Sequence, residues 1–210
     1  MTGEIASLKR VIAIHVGDKY SQDMADAAVN SALSMTDDVV IVFAPSSIKK
    51  IDRIDSSRWM SFPLEADNIP KQKNFIIKHF ENAGFKGFLH IIEPCARFNN
   101  STKSYMSKLE ATMNVLDYDV HLSTTTDRCN YVFNKFCPRL TLDIDDESMK
   151  SQLGLPDKLY FTSHSNVSCL TMNLGAFKDG NVPMFDERFS IGMFFIIEFL
   201  AKRRLSKRLD

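Results

Sequence analysis

Residues 68–95, NIPKQKNFIIKHFENAGFKGFLHIIEPC, constrain the fold more than any other stretch of the chain. Asn68 or Asp67 can cap a helix, Pro70 suits a first-turn position that needs no amide hydrogen, and Gly84 supplies the stop. Ile76, Phe80 and Ala83 recur at helical spacing between them, with Phe75 and Ile77 alongside. Residues 88–92 (FLHII) then read as a central strand, which Pro94 ends because it has no amide hydrogen for a sheet ladder. One short helix thus ties a start bearing Lys71 and Lys73 to a carboxylate, Glu93, at a strand end. Unpaired amides and the helix dipole favour an anion at such a start, and lysines add to that. Open parallel sheets bind ligands outside their carboxyl strand ends, where Glu93 falls. Such a pairing can build a nucleotide-diphosphate site. The plain alternatives are a solvated helix start and a strand-end acid paired with a lysine.

Upstream, residues 11–16 (VIAIHV) form an apolar run that ends at Gly17-Asp18 and reads as a buried strand. Ser21 can cap a helix in which Met24, Ala28, Ala32 and Met35 recur at helical spacing. Residues 39–43 (VVIVF) give a second buried strand, closed by Pro45, and 59–62 a short third. Strand, helix and strand at this spacing predict an α/β fold with a parallel sheet and crossover helices. Downstream, a helix opening at Ser101 should place Tyr105, Leu109, Met113 and Leu116 on one face. Residues 120–136 show a mixed pattern. Residues 140–142, 160–162 and 167–172 read as strands, and 189–204 as a long, mostly apolar helix. No repeat, linker or boundary interrupts the chain, so a single domain over 1–210 is expected.

Composition narrows the function classes. Lys and Arg total 26 and Asp and Glu total 26, so bulk attraction to nucleic acid or an acidic membrane is not expected. A hydrophobic fraction of 44% over 210 residues suffices for a real core. The longest apolar run, 193–201, is broken by Glu198 and falls well short of the ~18 residues of a spanning helix. The N-terminal segment starts a strand rather than a signal peptide, which sets the expectation of a cytoplasmic protein. Cys95, Cys129, Cys137 and Cys169 lack CxxC spacing and read as reduced thiols.

Three further carboxylate groups draw notice. Asp143-Ile144-Asp145 is a literal DxD whose alternate carboxylates could share a metal, although DIDDES also reads as an acidic turn. Phe185-Asp186-Glu187-Arg188-Phe189 precedes an apolar helix carrying Glu198. A buried Glu198 would suit general-base work, whereas pairing with Lys202 one turn on would make it structural. The five histidines show no ligand spacing, and His90, between Leu89 and Ile91, reads as a satisfied core residue.

Taken in order, these segments resemble the GT-A fold glycosyltransferases, particularly the family-2-like group, with a degenerate DxD. In that family a first strand opens the nucleotide-binding half, and a helix beginning near an Arg-Asn pair follows the third strand. The next strand ends in a DxD that holds a metal and the sugar nucleotide. An FDE-type segment later precedes a helix with catalytic acids. Here residues 69–74 (IPKQKN) resemble the Arg-Asn segment, with Lys73 where Arg is usual. Residues 88–95 resemble the strand leading to DxD, with Glu93-Pro94-Cys95 keeping one carboxylate. Residues 167–177 followed by 185–189 resemble the acceptor-side strand and its sequel. Where the family carries an acidic pair after FDE, this chain has Gly192-Met193-Phe194-Phe195.

The resemblance implies a three-layer, Rossmann-like α/β fold with a mostly parallel central sheet flanked by helices. It implies a nucleotide-binding half at about 8–98 and an acceptor half at about 99–210. The implied reaction moves a sugar from a nucleotide-diphosphate donor to a glycan, a small molecule or modified nucleic acid. The basic tail at 202–208 (KRRLSKR) is what favours the last of these. His15, Gly17, Lys71, Lys73 and Asn74 would line the nucleotide. Glu93, Asp143 and Asp145 would hold Mg²⁺ or Mn²⁺, and Asp186, Glu187 or Glu198 would deprotonate the acceptor. A non-catalytic nucleotide-binding or partner-binding module on the same scaffold is the other reading.

Overall fold

Strand β1 (Arg10–His15) is buried at every position and pairs in parallel on both edges, with β2 (Val39–Ala44) on one side and β4 (Phe88–Ile92) on the other. A computed structural model describes residues 5–98, 102–115, 119–123, 140–143, 158–161, 169–177 and 181–188. Strand β3 (Trp59–Ser61) adds in parallel outside β2. Beyond β4 the direction reverses: β8 (Cys169–Asn173) runs antiparallel to β4, and β5 (Val120–Ser123) runs antiparallel to β8. The six-stranded order is β3-β2-β1-β4-β8-β5. Strands β6 (Leu140–Asp143) and β7 (Lys158–Phe161) form a separate antiparallel pair.

Because β1 is covered on both faces, its alternating side chains feed two apolar layers. Ile12 and Ile14 pack with Ala25, Ala28, Val29 and Ala32 of helix α1 (Gln22–Met35). Val11 and Ala13 pack with Ile76, Ile77 and Phe80 of helix α2 (Ile69–Asn82). Helix α3 (Thr102–Val115) sets Leu109 and Met113 against Phe88, and its Met106 joins the α1 layer. The result is a three-layer, Rossmann-like α/β fold with a mostly parallel sheet. The expected strand at 59–62 and the helices from Ser21 and Asn68 are present. Strand β5 falls within the stretch whose pattern was mixed. The helix expected over 189–204 lies outside the described residues, as do Leu116, Asp145, Glu198 and the 202–208 tail.

Gly84 and Gly87 are dictated by geometry. Gly84 ends α2 with φ 72°, the left-handed conformation that a side chain disfavours. At Gly87 a Cβ would stand 2.3 Å from the carbonyl oxygen of Lys9, so only glycine lets β4 start against β1.

Of the expected α3 face, Leu109 and Met113 are buried, but Tyr105 is exposed, and Met106 and Glu110 turn inward as well. Glu110 is drawn in by a closed polar network. Its Oε2 accepts from Arg10 Nη2 at 2.8 Å, and its Oε1 lies 3.0 Å from His90 Nε2. His90 Nδ1 meets Thr171 Oγ1 at 2.9 Å, so both ring nitrogens of this core histidine are engaged. Burial alone would raise the Glu110 carboxyl, but the His90 hydrogen bond and the Arg10 charge outweigh it and hold it below 4.5. This stabilisation is present above the ordinary value and is lost as pH falls through the folded one. Glu110→Gln leaves buried Arg10 with only its 3.4 Å contact to Asp38 as an ion pair. It should cost about 3 kcal/mol by urea denaturation at neutral pH. An unchanged midpoint would mean the network contributes nothing to stability.

Candidate functional site

The strand order reverses between β1 and β4, and the crevice beyond the carboxyl ends of that pair is where an open α/β sheet takes its ligand. Three short segments converge there. The end of β1 brings His15, and the loop after it brings Gly17, Asp18, Lys19 and Tyr20. The first turns of α2 bring Gln72 and Lys73. The end of β4 brings Glu93.

Helix α2 starts at this end because Asn68 caps it, with its side chain accepting from Lys71 N at 2.9 Å and Pro70 in the first turn. The helix then separates the two lysines that the sequence suggested as a pair. Residues two apart stand roughly 200° apart around a helix, so they cannot share a face. Lys71 turns to the surface and binds Asp67 at 2.9 Å, which raises its own pKa. Lys73 turns inward and is 2% exposed. Its Nζ lies 3.5 Å from Glu93 Oε1. It finds no hydrogen-bond partner among the described residues.

Glu93 lies between cations. Oε1 faces Lys73, and Oε2 accepts a hydrogen bond from the Tyr20 hydroxyl and lies 3.5 Å from Lys19 Nζ. Lys19 Nζ in turn sits 4.9 Å from the centre of the Tyr20 ring. Burial would raise the Glu93 carboxyl, but the Lys73 charge, the Tyr20 hydrogen bond and the Lys19 charge together hold it below its ordinary value. Burial and the Glu93 charge push the Tyr20 hydroxyl far up, so it stays a donor.

Gln72 organises the other side. Its Nε2 donates to Ala66 O at 3.1 Å and Asp18 Oδ2 at 3.2 Å, so its Oε1 faces His15 Nε2 at 2.9 Å. That arrangement places the His15 proton on Nε2 and leaves Nδ1 a buried acceptor with no partner among the described residues. Phe62 meets the His15 ring edge-on at 5.6 Å. Burial, then the Lys73 charge, lower the His15 pKa to about 4. Cys169, beside Ile92 in the sheet register, is pushed up to about 11 by burial and stays a thiol.

Asn74 faces the later part of the chain. Its Oδ1 accepts from Phe185 N at 2.8 Å, and its Nδ2 donates to Phe185 O and Glu187 Oε1, each at 2.9 Å. The FDE segment is thereby fastened to the start of α2, where Asn68 Nδ2 also donates to Glu187 O at 3.3 Å. Asp186 spends both oxygens on the Arg188 guanidinium.

The structure thus gathers His15, Gly17, Lys73 and Glu93, sets Asn74, Asp186 and Glu187 alongside α2, and leaves Lys71 on the surface. Asp143 belongs to β6 in the separate two-stranded sheet. Among the described residues no three His, Cys, Asp or Glu side chains lie together to hold a metal ion. Glu93 offers one carboxylate already shared by two ammonium groups, a donor set that does not fit Mg²⁺ or Mn²⁺. Sequence reading missed Lys19, Tyr20 and Gln72. Their position in the β1–α1 loop and beside Lys73 was the available signal.

Two outcomes follow. Neutral His15 contributes stability that is fully present above pH 6.5 and lost as pH falls towards 4, on the order of 3 kcal/mol. His15→Gln should flatten the fall in denaturation midpoint between about pH 7 and 5; an unchanged slope would contradict the burial of a neutral ring. Asn74→Ala removes three hydrogen bonds to the 185–187 segment. It should cost about 2 kcal/mol and speed amide exchange at Phe185, whereas unchanged exchange there would show that the segment is held by other contacts.

No helix of the described residues is long and apolar enough to cross a membrane. Compared with known proteins, the sequence matches no family model and no curated protein.

Proposed function

We propose that the chain binds a nucleoside diphosphate in the crevice between β1 and β4 and transfers a sugar from the corresponding nucleotide sugar to an acceptor hydroxyl. One observation carries the reading: a buried lysine, Lys73, stands at the strand-order reversal without a hydrogen-bond acceptor among the described residues. A phosphate oxygen is the acceptor such a site is built to receive. The strand order β3-β2-β1-β4 supports the same reading, since nucleotide-binding α/β sheets share it. The resemblance to GT-A glycosyltransferases supplies the reaction class.

In this reaction the acceptor oxygen attacks the anomeric carbon and the bond from that carbon to the diphosphate breaks. The leaving diphosphate takes the electron pair, and Lys73 stabilises the charge that develops on it. The acceptor proton passes to a carboxylate. Of the described pair after Phe185, Asp186 is committed to Arg188, so Glu187, oriented by Asn74, takes that role. The commitment of Glu93 and Asp186 to ion pairs favours a second reading, a module that binds the nucleotide without turnover.

Isothermal titration with UDP, GDP, CDP and ADP, with uridine as a control lacking phosphate, tests the shared premise. At least one diphosphate should bind and uridine should not. No binding by any diphosphate would overturn both readings. Release of diphosphate from a bound nucleotide sugar in the presence of acceptors separates the transferase from the module.

A further inference from the structure

Two clusters of buried charged groups among the described residues, one around Glu110 and one around Glu93, differ in how fully their members are partnered. In the Arg10–Glu110–His90–Thr171 network each named side chain meets a partner within 3.0 Å. Around Glu93 the carboxylate is well supplied, whereas Lys73 has a single 3.5 Å ion contact and no hydrogen bond among the described residues. An ammonium has three donors and is expensive to bury with none of them used. The missing partner is therefore an acceptor, and an anionic one suits the charge. A divalent cation does not meet the need, because it would compete with Lys73 and Lys19 for the same Glu93 carboxylate and would leave the ammonium donors empty.

We infer that Lys73, braced by Glu93, is itself the cation of this site and takes a phosphate oxygen of the nucleoside diphosphate directly, with no divalent metal ion between them. The inference rests on the nucleotide reading above and adds to it the identity of the countercharge. Glu93 acts as a positioning residue: it holds the ammonium at the strand ends rather than ligating a metal. Lys19 and Tyr20, which bind the other oxygen of Glu93, form the side of the site that must shift to admit the ligand. Asp18, held by Gln72, is the other described carboxylate there and faces the His15 side.

The test is titration of UDP, GDP, CDP and ADP into the full chain, once in EDTA and once in Mn²⁺. Wild type, Lys73→Met and the double variant Lys73→Met/Glu93→Gln are compared, with thermal melts to confirm folding. The double variant removes both charges together and so leaves neither buried unpaired. The bound diphosphate should have the same affinity in EDTA and in Mn²⁺. Both variants should lose at least about tenfold in affinity, the size of one charged hydrogen bond. Binding that appears only with Mn²⁺ would overturn this inference while leaving the nucleotide reading intact. Wild-type affinity in a folded double variant would also overturn it. Absence of binding under both conditions would overturn the nucleotide reading, and this inference with it.

Discussion

Everything at the candidate site depends on the two-sided burial of β1. A strand paired in parallel on both edges and apolar on both faces must be covered above and below. Helix α1 covers one face. Helix α2 covers the other, running back from the β3 edge to β4, so its first turns sit beside the carboxyl ends of β1 and β4. The face of α2 that packs on Val11, Ala13 and Phe43 carries Ile76, Ile77 and Phe80. Lys73 stands one turn before them and is carried inward with that face. The core therefore dictates that one lysine of the pair is buried at the strand ends while the other reaches solvent.

The contrast between the two buried polar clusters gives the site its meaning. Glu110 sits mid-sheet under α3 with Arg10 and His90, closed on every side, and stabilises the packing of that helix. At the strand ends Glu93 is well supplied, but Lys73 beside it has no hydrogen-bond partner among the described residues, and neither has Nδ1 of His15 on the other side of Gln72. Unsatisfied groups at the ends of strands, where a sheet takes its ligands, are expected where stability has been given up for binding.

Much of this was legible in the sequence. The apolar runs fixed β1, β2 and β4, because strands buried on both faces are continuous rather than alternating. Asn68, Pro70 and Gly84 marked the ends of α2 through capping chemistry that needs no tertiary context. Lys71 and Lys73 were legible as a charged helix start but not as separate groups, although helical periodicity alone would have parted them. Asn74 stood beside a lysine in a familiar pattern, yet its hydrogen bonds go to Phe185 and Glu187, contacts across 111 and 113 residues that no local signal encodes. The burial of Glu110 carried no local signal, because its partners Arg10 and His90 are remote in sequence. The reversed strand β8 was equally hidden, since an apolar run gives a strand's burial and not its direction.

The claim most open to direct examination is that a diphosphate seats on Lys73. A crystal structure of the chain soaked with the tightest-binding nucleoside diphosphate examines it atom by atom. The account predicts a phosphate oxygen within hydrogen-bond distance of Lys73 Nζ, Glu93 Oε1 still beside that ammonium, and the Lys19–Tyr20 segment displaced. A diphosphate seated away from the β1–β4 crevice, with the Lys73–Glu93–Tyr20 contacts unchanged, would contradict it.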